Sequence, residues 1–426
     1  MARIRPERRQ PLDLAISALI VVVLAIAGVV IWYHSPVRHT ESVQAAAAVP
    51  EVAPATSVPD RLVTRWHARS AVTDAPAVTR SLIVTADGGS VVGHDPGSGR
   101  QIWRYQRNLG LCAIIAAWPA SADEVLAAYR NSRGCGEVTA LNGATGARAG
   151  GRNSAADDRI RLSSDSGYVV AQGDTRLETW GSNLVRGIEY GRVDAPVKPG
   201  VQPDRKNCRL SSATVGGDRI ALIEHCGDEP GYRLTVLGAV LDKDEKVQQF
   251  GSAVITDGTT GPPPVVISMS TSAIAVYDGA GDRPLPALSA ATAPVPATIR
   301  TFNTDGAAVS ANTVDGDPAP PARAVPIVAS GLTTYFTGRA TVVIDTRTGR
   351  PLYQVPGAIG AGDMMDGQLL LPTATGISVR DAADGRELRS IPLPRRGDGS
   401  STVNLRVLGD VVVEQSGDEI TAYGPG

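Results

Sequence analysis

The sequence predicts an all-β fold made of repeated four-stranded sheets, preceded by one apolar helix that is long enough to cross a membrane. A strand–turn–strand pattern recurs through residues 61–426. The 46 glycines and 30 prolines among 426 residues are typical of a chain with many short strands and turns. A run of 20 residues without a charged side chain, Leu14–Tyr33, comes before the repeats.

The apolar helix and the residues before it set the expected topology. Residues 1–11 form an Arg-rich tail, and residues 12–33 cover the ~30 Å hydrocarbon core at about 1.5 Å per residue. Positive charge before the helix favours a cytoplasmic N-terminus, and Trp32 and Tyr33 suit the opposite interface. We therefore expect a single-pass protein of the inner (plasma) membrane with an extracytoplasmic or periplasmic C-terminal domain. A cleaved signal peptide is the alternative, although its apolar region is usually about 7 to 15 residues long.

Residues 34–60 are rich in Ala, Pro, Ser and Val, and this composition predicts an extended, mobile tether without a repeat period. Within it, the small residues of "VQAAAAVPE" offer a peptidase site if the helix is a signal sequence. We expect the folded domain to begin near Asp60 and to occupy residues 61–426.

Four cysteines follow the predicted anchor, and an even number of cysteines outside the cytoplasm indicates disulfides. Three pairings are possible for four thiols. Because Cys112 and Cys208 each begin a strand and Cys135 and Cys226 each follow the next antiparallel strand, we predict the bonds Cys112–Cys135 and Cys208–Cys226. A metal site is the alternative, but no CxxC pair occurs and His225 is the one suggestive neighbour.

The repeat pairs an apolar strand with a turn of Asp or Asn and Gly, followed by a returning strand. Side-chain capping by Asp or Asn and a positive φ at Gly explain this turn chemistry. Its clearest copies are "SVVGHDPGSGRQIWRY" from Ser90, "EVTALNGATGARAG" from Glu137, "TVVIDTRTGRPLYQV" from Thr341 and "ISVRDAADGRELRSI" from Ile377. With weaker copies included, eight turns are expected at Asp95, Asn142, Gly181, Gly238, Asp278, Asp345, Asp381 and Gly424.

Sheets of this kind bury both faces by stacking radially around an axis, so we predict an eight-bladed β-propeller, with seven blades as the alternative. The strand Leu62–Arg69 lacks a preceding turn, and the last strand, "EITAYGPG", lacks an outer neighbour. We expect these two strands to pair and to close the ring. The Pro-rich stretch between Asp278 and Asp345 is expected to be an elaborated loop beside one blade.

On these repeats, residues 61–426 resemble the quinoprotein-type (PQQ-like) β-propellers. The resemblance implies a redox site with a vicinal cysteine pair, a calcium site, a tryptophan beneath the quinone and a catalytic Asp, and none of these is recognisable here. We therefore predict no enzyme activity and no catalytic, cofactor-binding or metal-binding residues. Trp103 matches the blade tryptophan of this family, and we place Trp66, Trp103, Trp118 and Trp180 on strands and assign them to packing between blades.

Other residues able to carry chemistry are assigned structural roles. His67, His94 and His225 lack a second ligand nearby in sequence, and the carboxylate groups Asp157 with Asp158 and Asp242 with Asp244 and Glu245 lie in polar turns. Nucleophile-elbow, HExxH and P-loop motifs are missing from the sequence. Ligand-binding residues cannot be named from the sequence.

The formal net charge of −2 gives no basic field for nucleic acid. We expect a membrane-anchored, non-enzymatic binding or scaffold module of the cell envelope, and the alternatives are a PQQ-dependent dehydrogenase and an envelope protein-assembly factor. The order of Arg-rich tail, helix, Ala/Pro stretch and disulfide-bonded propeller is also similar to the actinobacterial polar growth factor family. That resemblance implies a glycolipid ligand, trehalose monomycolate, its membrane transporter as partner, and a role in polar cell-wall growth.

Overall fold

The computed structural model describes residues 11–193, 200–203, 205, 207–227, 229–256, 261–284, 292–395 and 401–426. Within them, one α-helix and one short 3₁₀ helix precede eight antiparallel sheets, seven with four strands and one with five, which form the blades of an eight-bladed β-propeller. The predicted fold class is confirmed, and the seven-bladed alternative is wrong. The buried residues divide into clusters that lie within and between neighbouring blades.

The elements preceding the first complete blade are α1 (Pro11–His34), a short 3₁₀ helix (Pro36–His39), β1 (Glu41–Val43) and β2 (Leu62–Arg69). Blades 1 and 2 contain β3 (Ala77–Val78), β4 (Ile83–Asp87), β5 (Ser90–His94), β6 (Gln101–Gln106), β7 (Leu111–Ala117), β8 (Glu124–Asn131), β9 (Gly134–Asn142) and β10 (Arg148–Asn153). Blades 3 and 4 contain β11 (Arg161–Ser164), β12 (Val169–Gln172), β13 (Arg176–Trp180), β14 (Arg186–Gly191), β15 (Cys208–Gly216), β16 (Arg219–Cys226), β17 (Arg233–Leu241) and β18 (Val247–Val254).

Blades 5 and 6 contain β19 (Val265–Met269), β20 (Ile274–Asp278), the inserted hairpin β21 (Gly281–Pro284) and β22 (Thr292–Val295), β23 (Thr298–Phe302), β24 (Ala308–Thr313), β25 (Ile327–Ala329), β26 (Leu332–Phe336), β27 (Ala340–Asp345) and β28 (Pro351–Pro356). Blades 7 and 8 contain β29 (Asp363–Met365), β30 (Gln368–Thr373), β31 (Gly376–Asp381), β32 (Glu387–Pro392), β33 (Val403–Leu408), β34 (Val411–Ser416) and β35 (Glu419–Pro425), and β2 is the outer strand of blade 8.

The two ends of the domain complete one blade together, as the unpaired strands predict. β2 pairs antiparallel with β35, with Leu62 opposite Pro425 and Arg69 opposite Glu419. The outer strand of blade 8 is therefore supplied by the N-terminal part of the domain, and this pairing closes the ring.

Blade 5 differs from the prediction at Asp278. This residue ends the second strand, β20, and not the third, because the hairpin of β21 and β22 is inserted between the second and third strands. The repeat turn of blade 5 follows β23, where the Asn303 side chain accepts hydrogen bonds from the backbone N–H groups of Asp305 and Ala307. Part of the expected loop between Asp278 and Asp345 is thus the outer half of this blade.

The predicted turn chemistry is present where the repeat is clearest. At Asp345, one carboxylate oxygen accepts hydrogen bonds from the Thr348 N–H at 2.7 Å and from its hydroxyl at 2.9 Å. These hydrogen bonds, the backbone one foremost, hold the pKa of Asp345 below its usual value. Gly349 then adopts a φ of 66°, which favours glycine. Asp95 and Asn142 cap their turns in the same way.

The blades are joined by a repeated contact between an outer-strand aromatic ring and a turn glycine of the next blade. A Cβ atom at Gly146 of blade 2 would lie 2.6 Å from the Trp103 ring of blade 1, and the Trp103 indole N–H donates to the Gly143 carbonyl at 3.0 Å. The Trp66 side chain packs against Gly99 in the same way, and the Tyr353 ring packs against Gly385. The packing role predicted for Trp66 and Trp103 is confirmed.

Trp118 departs from its predicted place on a strand. It follows β7 in a turn with a φ of 52° and is almost completely buried. Trp180 does lie on a strand, β13, and its indole N–H donates to Glu178 at 3.0 Å.

The alternation of antiparallel strands gives the ring two different faces. The turns between first and second strands and between third and fourth strands lie on one side, which we call the tight-turn face. The turns between second and third strands lie on the other side together with the connections between blades, and we call this side the loop-rich face. Its longest described or partly described connections are residues 192–207 and 314–326, and residues 154–160 form the connection between blades 2 and 3.

Residues 41–60, which we call the strap, lie against the propeller and do not form the mobile tether predicted for residues 34–60. β1 pairs with β6 and adds a fifth strand to blade 1. The strap then crosses the tight-turn face: the Ala45 N–H donates to Thr145 of blade 2, and the Val52 N–H donates to Arg80 of blade 1. Further along, Arg389 of blade 7 donates to two strap carbonyls.

Apolar side chains at every third position explain why the strap adheres. Val49, Val52, Ala55 and Val58 are buried or half-buried and pack against propeller clusters, whereas the positions between them are mostly exposed. A spacing of three is the repeat of a polyproline II helix, which the three prolines of this segment favour. The folded unit therefore begins at Glu41 and not near Asp60.

Helix α1 agrees closely with the predicted span of residues 12–33. All of its side chains are exposed, and by length and composition it could cross a membrane or act as a signal sequence. Seven residue steps separate His34 from Glu41, where the strap begins, so the two points are at most about 25 Å apart.

Both predicted disulfides are present, Cys112–Cys135 and Cys208–Cys226. Cys208 and Cys226 lie directly opposite each other on β15 and β16. Cys135 lies at the start of the third strand, β9, one turn later than the expected end of the second strand. Each bond joins positions within one blade.

We expect each disulfide to stabilise the fold by about 3 kcal/mol, because the bonds close loops of 23 and 18 residues in the unfolded chain. Replacing both cysteines of one pair by serine avoids a free thiol. Thermal unfolding of each double-serine variant of the full chain, compared with the unchanged chain with and without reductant, measures this effect. An unchanged unfolding midpoint would contradict it.

Candidate functional site

Near the axis of the loop-rich face, side chains from distant blades meet. The Arg323 guanidinium, in the connection between blades 5 and 6, donates to the carbonyls of Thr73 at 2.9 Å and Gly417 at 2.8 Å, and to the Asp418 carboxylate at 2.6 Å. Thr73 lies in the connection between blades 8 and 1, and Gly417 and Asp418 form a turn of blade 8. The connection at 314–326 therefore reaches past blade 7.

Asn404, on the inner strand of blade 8, fixes this meeting point. Its side chain is fully buried, and its amide N–H groups donate to the carbonyls of Asp74 at 2.7 Å and Arg323 at 2.8 Å. Its carbonyl accepts from the Ala361 N–H at 3.2 Å. One asparagine thus holds three connections, and the arrangement is a structural clamp.

The nearby Asp74 side chain keeps one side open to solvent. Burial raises its pKa, and the positive charges of Arg323 and Arg161 act in the opposite direction. Arg323 lies 3.8 Å from the Asp74 carboxylate. Arg323 therefore lies between two carboxylates, those of Asp74 and Asp418, and these contacts bind the connections to each other.

An open cavity lies on the loop-rich face between blades 2 and 3, and we call it the polar cleft. It has a volume of about 340 Å³. Its lining residues are Ser132, Arg133, Gly134, Ala155, Ala156, Asp157, Asp158 and Arg192. Backbone groups, hydroxyls and charged side chains dominate this lining, so the cleft suits a polar ligand.

Asp157 holds the two walls of the cleft together. Its carboxylate accepts from the Thr175 hydroxyl at 2.7 Å, from the Thr175 N–H at 2.6 Å and from Arg192 at 3.1 Å. Although burial raises its pKa, these hydrogen bonds outweigh burial and hold the pKa below its ordinary value. Asp157 is therefore a fixed anion that ties the 154–160 connection to blade 3, and the solvated-loop interpretation of this residue is wrong.

Beneath the cleft, buried charges join blades 2 and 3. Glu178 lies 3.0 Å from the Arg152 guanidinium and 2.7 Å from that of Arg176. Burial alone would raise the pKa of Glu178, but the charge of Arg152 and the hydrogen bonds from Trp180 and Arg176 hold it below its usual value. A small cavity of about 10 Å³ beside this network has room for one water molecule. These charges pair with each other and support the cleft from below.

The three histidines of the propeller occupy separate places. His94 stacks on Trp66 and contacts the Thr85 hydroxyl and the Gly99 carbonyl, and burial lowers its pKa. His67 contacts Thr421 at 3.0 Å on the exposed outer strand of blade 8. His225 contacts the Glu229 carbonyl at 3.1 Å. These contacts agree with the structural roles expected of them.

Among the residues that the structure describes, three metal-ligating side chains come together at one place, Cys208, Glu224 and Cys226. The two sulfur atoms are bonded to each other and are not thiolates. Glu224 is fully buried and accepts from the hydroxyls of Tyr190 at 2.9 Å and Thr235 at 2.6 Å. This cluster is poorly suited to a metal ion because its carboxylate oxygens already accept hydrogen bonds.

The acidic group at Asp242, Asp244 and Glu245 is turn chemistry, as expected. The Asp242 carboxylate accepts from the N–H groups of Asp244 and Lys246, each at 2.9 Å. The turn of blade 4 therefore begins at Asp242, four residues beyond the expected position at Gly238.

No family model matches the sequence, and no curated protein matches it. Among solved structures, BamB from Moraxella catarrhalis is similar, with a TM-score of 0.50, 12% identity, and coverage of 85% of this chain and 99% of that chain. The computationally designed Ika8 protein is also similar, with a TM-score of 0.54, 16% identity, and coverage of 86% and 99% respectively. At these identities, the similarity shows the β-propeller fold alone.

Sequence reasoning did not find the polar cleft. Its residues come from the turn between β8 and β9, the 154–160 connection and the residue after β14, which are far apart in the chain. The sequence feature that could have indicated the cleft is the concentration of charged residues in "AADDRIR", residues 155–161, within a connection between blades.

Proposed function

We propose that this protein is a membrane-anchored, non-enzymatic binding module of the cell envelope. The strap is the observation that carries the proposal. It ties residues 41–60 to the tight-turn face, so the propeller begins within about 25 Å of the end of the apolar helix. A free segment from His34 to Arg61 could have extended about 90 Å. The propeller is therefore placed to act on ligands and partners close to the membrane.

Retention of the helix as an anchor is supported by β1. The small-residue stretch that a signal peptidase could cut, residues 44–48, follows β1 in the chain. Cleavage there would remove the fifth strand of blade 1. We propose that the helix remains attached, with the N-terminus cytoplasmic and the propeller on the outer side of the inner membrane.

For the ligand, we propose the polar head group of a glycolipid, with trehalose monomycolate as the first candidate and its membrane transporter as partner. The polar cleft supports a head group more than an acyl chain, because its walls are polar and its volume of about 340 Å³ is at the lower end for ligand pockets. A role in glycolipid transport and polar wall growth would follow from this binding.

The test uses the full chain in lipid nanodiscs and native mass spectrometry. We expect bound trehalose monomycolate, and we expect the variant Ser132→Trp, which fills the cleft, to lose it. Ala383→Trp, an exposed position on the tight-turn face, is the matched control and should retain binding. Absence of the glycolipid together with clean pull-downs from envelope extract would overturn the ligand and partner. Dye reduction by the chain with added quinone and calcium would overturn the non-enzymatic assignment.

A further inference from the structure

Exposed arginines are concentrated around the polar cleft, and we call this group the arginine rim. It consists of Arg130, Arg133, Arg159, Arg192 and Arg209. They come from blades 2, 3 and 4 and from the connections between them. The whole chain has a net charge of −2, so this positive region is a local feature and not a property of the composition.

Contacts join the members of the rim into one surface. Arg130 donates to the carbonyl of Asp158, which lines the cleft. Asp174, in the blade 3 turn beside Thr175, lies 3.6 Å from the guanidinium of Arg159 and 3.9 Å from that of Arg209. The Asp157 carboxylate binds both Thr175 and Arg192. Arg133 and Arg192 therefore line the cleft, and Arg130, Arg159 and Arg209 lie beside it.

Positive charge exceeds negative charge on the described part of this surface. The five arginines face three described carboxylates: Asp174 is shared between Arg159 and Arg209, Asp157 pairs with Arg192, and Asp158 is exposed. Arg130 and Arg133 donate to neutral oxygens, the Asp158 carbonyl and the Asn153 amide. Elsewhere on the loop-rich face, arginines lie against carboxylates of their own: Arg69 with Asp87, Arg233 with Glu229, Arg339 with Asp317 and Arg395 with Glu414.

We infer that the arginine rim binds an acidic segment of a protein partner. Guanidinium groups bind carboxylates with two parallel hydrogen bonds, and groups spread over three blades suit a chain with several carboxylates better than one compact anion. Gly134, Ala155 and Ala156 in the cleft have little or no side chain, so an extended backbone can approach between the guanidinium groups.

A protein segment fits this surface better than a bilayer does. The arginines lie at or beside a cleft of about 340 Å³, which the extended backbone of a peptide can enter and a flat bilayer surface cannot. The strap contacts turns on the opposite, tight-turn face and leaves the cleft open. The inference rests on the proposed binding function, but it does not depend on the glycolipid.

The experiment measures binding of a fluorescent twelve-residue polyglutamate peptide to the full chain in neutral nanodiscs by anisotropy. We expect the triple variant Arg133→Gln, Arg159→Gln, Arg209→Gln to weaken binding about tenfold. Binding should also weaken when the salt is raised from about 0.05 M to 0.3 M, since salt screens exposed charges. The matched control, Arg347→Gln, Arg350→Gln, Arg386→Gln, removes the same charge from exposed arginines of the tight-turn face and should bind normally.

Three results would overturn the inference: equal affinity of the rim and control variants for the peptide, complete competition by inorganic phosphate at the same concentration of charge, or binding to anionic phosphatidylglycerol vesicles without binding to the peptide. Circular dichroism checks that both triple variants are folded. Peptide binding without glycolipid binding would overturn the proposed ligand and support the arginine rim, so the two proposals fail separately.

Discussion

Replacing Trp103 by alanine is expected to destabilise the propeller by about 3 to 5 kcal/mol, as for other buried aromatic residues. The ring is completely buried and fills the space between its own blade and the next. A Cβ atom at Gly93 would lie 2.3 Å from the ring, and one at Gly146 would lie 2.6 Å from it. The variant leaves a cavity between two glycines, which have no side chains to fill it, and leaves the Gly143 carbonyl without its indole donor.

Two further variants separate the contribution of ring packing to stability from that of the hydrogen bond. Trp103→Phe keeps most of the ring but loses the hydrogen-bond donor, so we expect the free energy of unfolding to fall by about 1 to 3 kcal/mol. Gly146→Ala adds a methyl group against the ring at a φ of 68°, and both the contact and the backbone conformation predict destabilisation. Urea unfolding of the full chain in detergent measures all three. A cost below about 1 kcal/mol for Trp103→Ala would contradict the role of this contact.

The ring of blades could be predicted because its determinants are local and repeated. Asp345, Thr348 and Gly349 specify a turn within five residues, and similar residues recur at most blades. The closing pair of β2 and β35 was also predictable, since each strand lacks a neighbour of its own in the sequence. Local turn chemistry of this kind still predicts the fold when the sequence identity to known proteins is low.

Predictions failed where the structure depends on an insertion or on distant contacts. The hairpin of β21 and β22 separates two strands of blade 5, so Asp278 was assigned to the wrong turn. The apolar residues before Trp118 predict a strand there, although its positive φ belongs to a turn. The polar cleft needs residues from two blades, and the sequence cannot report how Arg133 and Arg192 approach each other.

The strap illustrates a signal that was present but was obscured by composition. Ala- and Pro-rich sequence usually indicates a flexible linker. Here the apolar residues Val49, Val52, Ala55 and Val58 recur at a period of three, which neither the helix period of 3.6 nor the strand period of two would detect. An extended segment with one apolar face can dock on a domain as a strap, and this changes the expected distance between membrane and propeller.

Releasing the strap is therefore the second test with a large expected effect. The double variant Val52→Asp, Val58→Asp places one carboxylate at the buried position of Val58 and the other at Val52, whose side chain lies against Gly409. Because a buried valine contributes about 1.5 to 3 kcal/mol, we expect a loss of roughly 3 kcal/mol and detachment of residues 44–60. Limited proteolysis of the full chain in nanodiscs, followed by mass spectrometry, should then find new cleavage sites within this segment while the eight blades remain intact.

The matched control adds the same two charges at exposed strap positions, Ala48→Asp and Ser57→Asp, and should remain resistant to the protease. Equal resistance of both variants would contradict the docked strap. If the valine variant is cut and also loses its membrane-bound ligand while the detached propeller still binds that ligand in solution, the strap acts by placing the binding site near the membrane. Loss of binding in solution as well would mean that the strap contributes to the fold of the site itself.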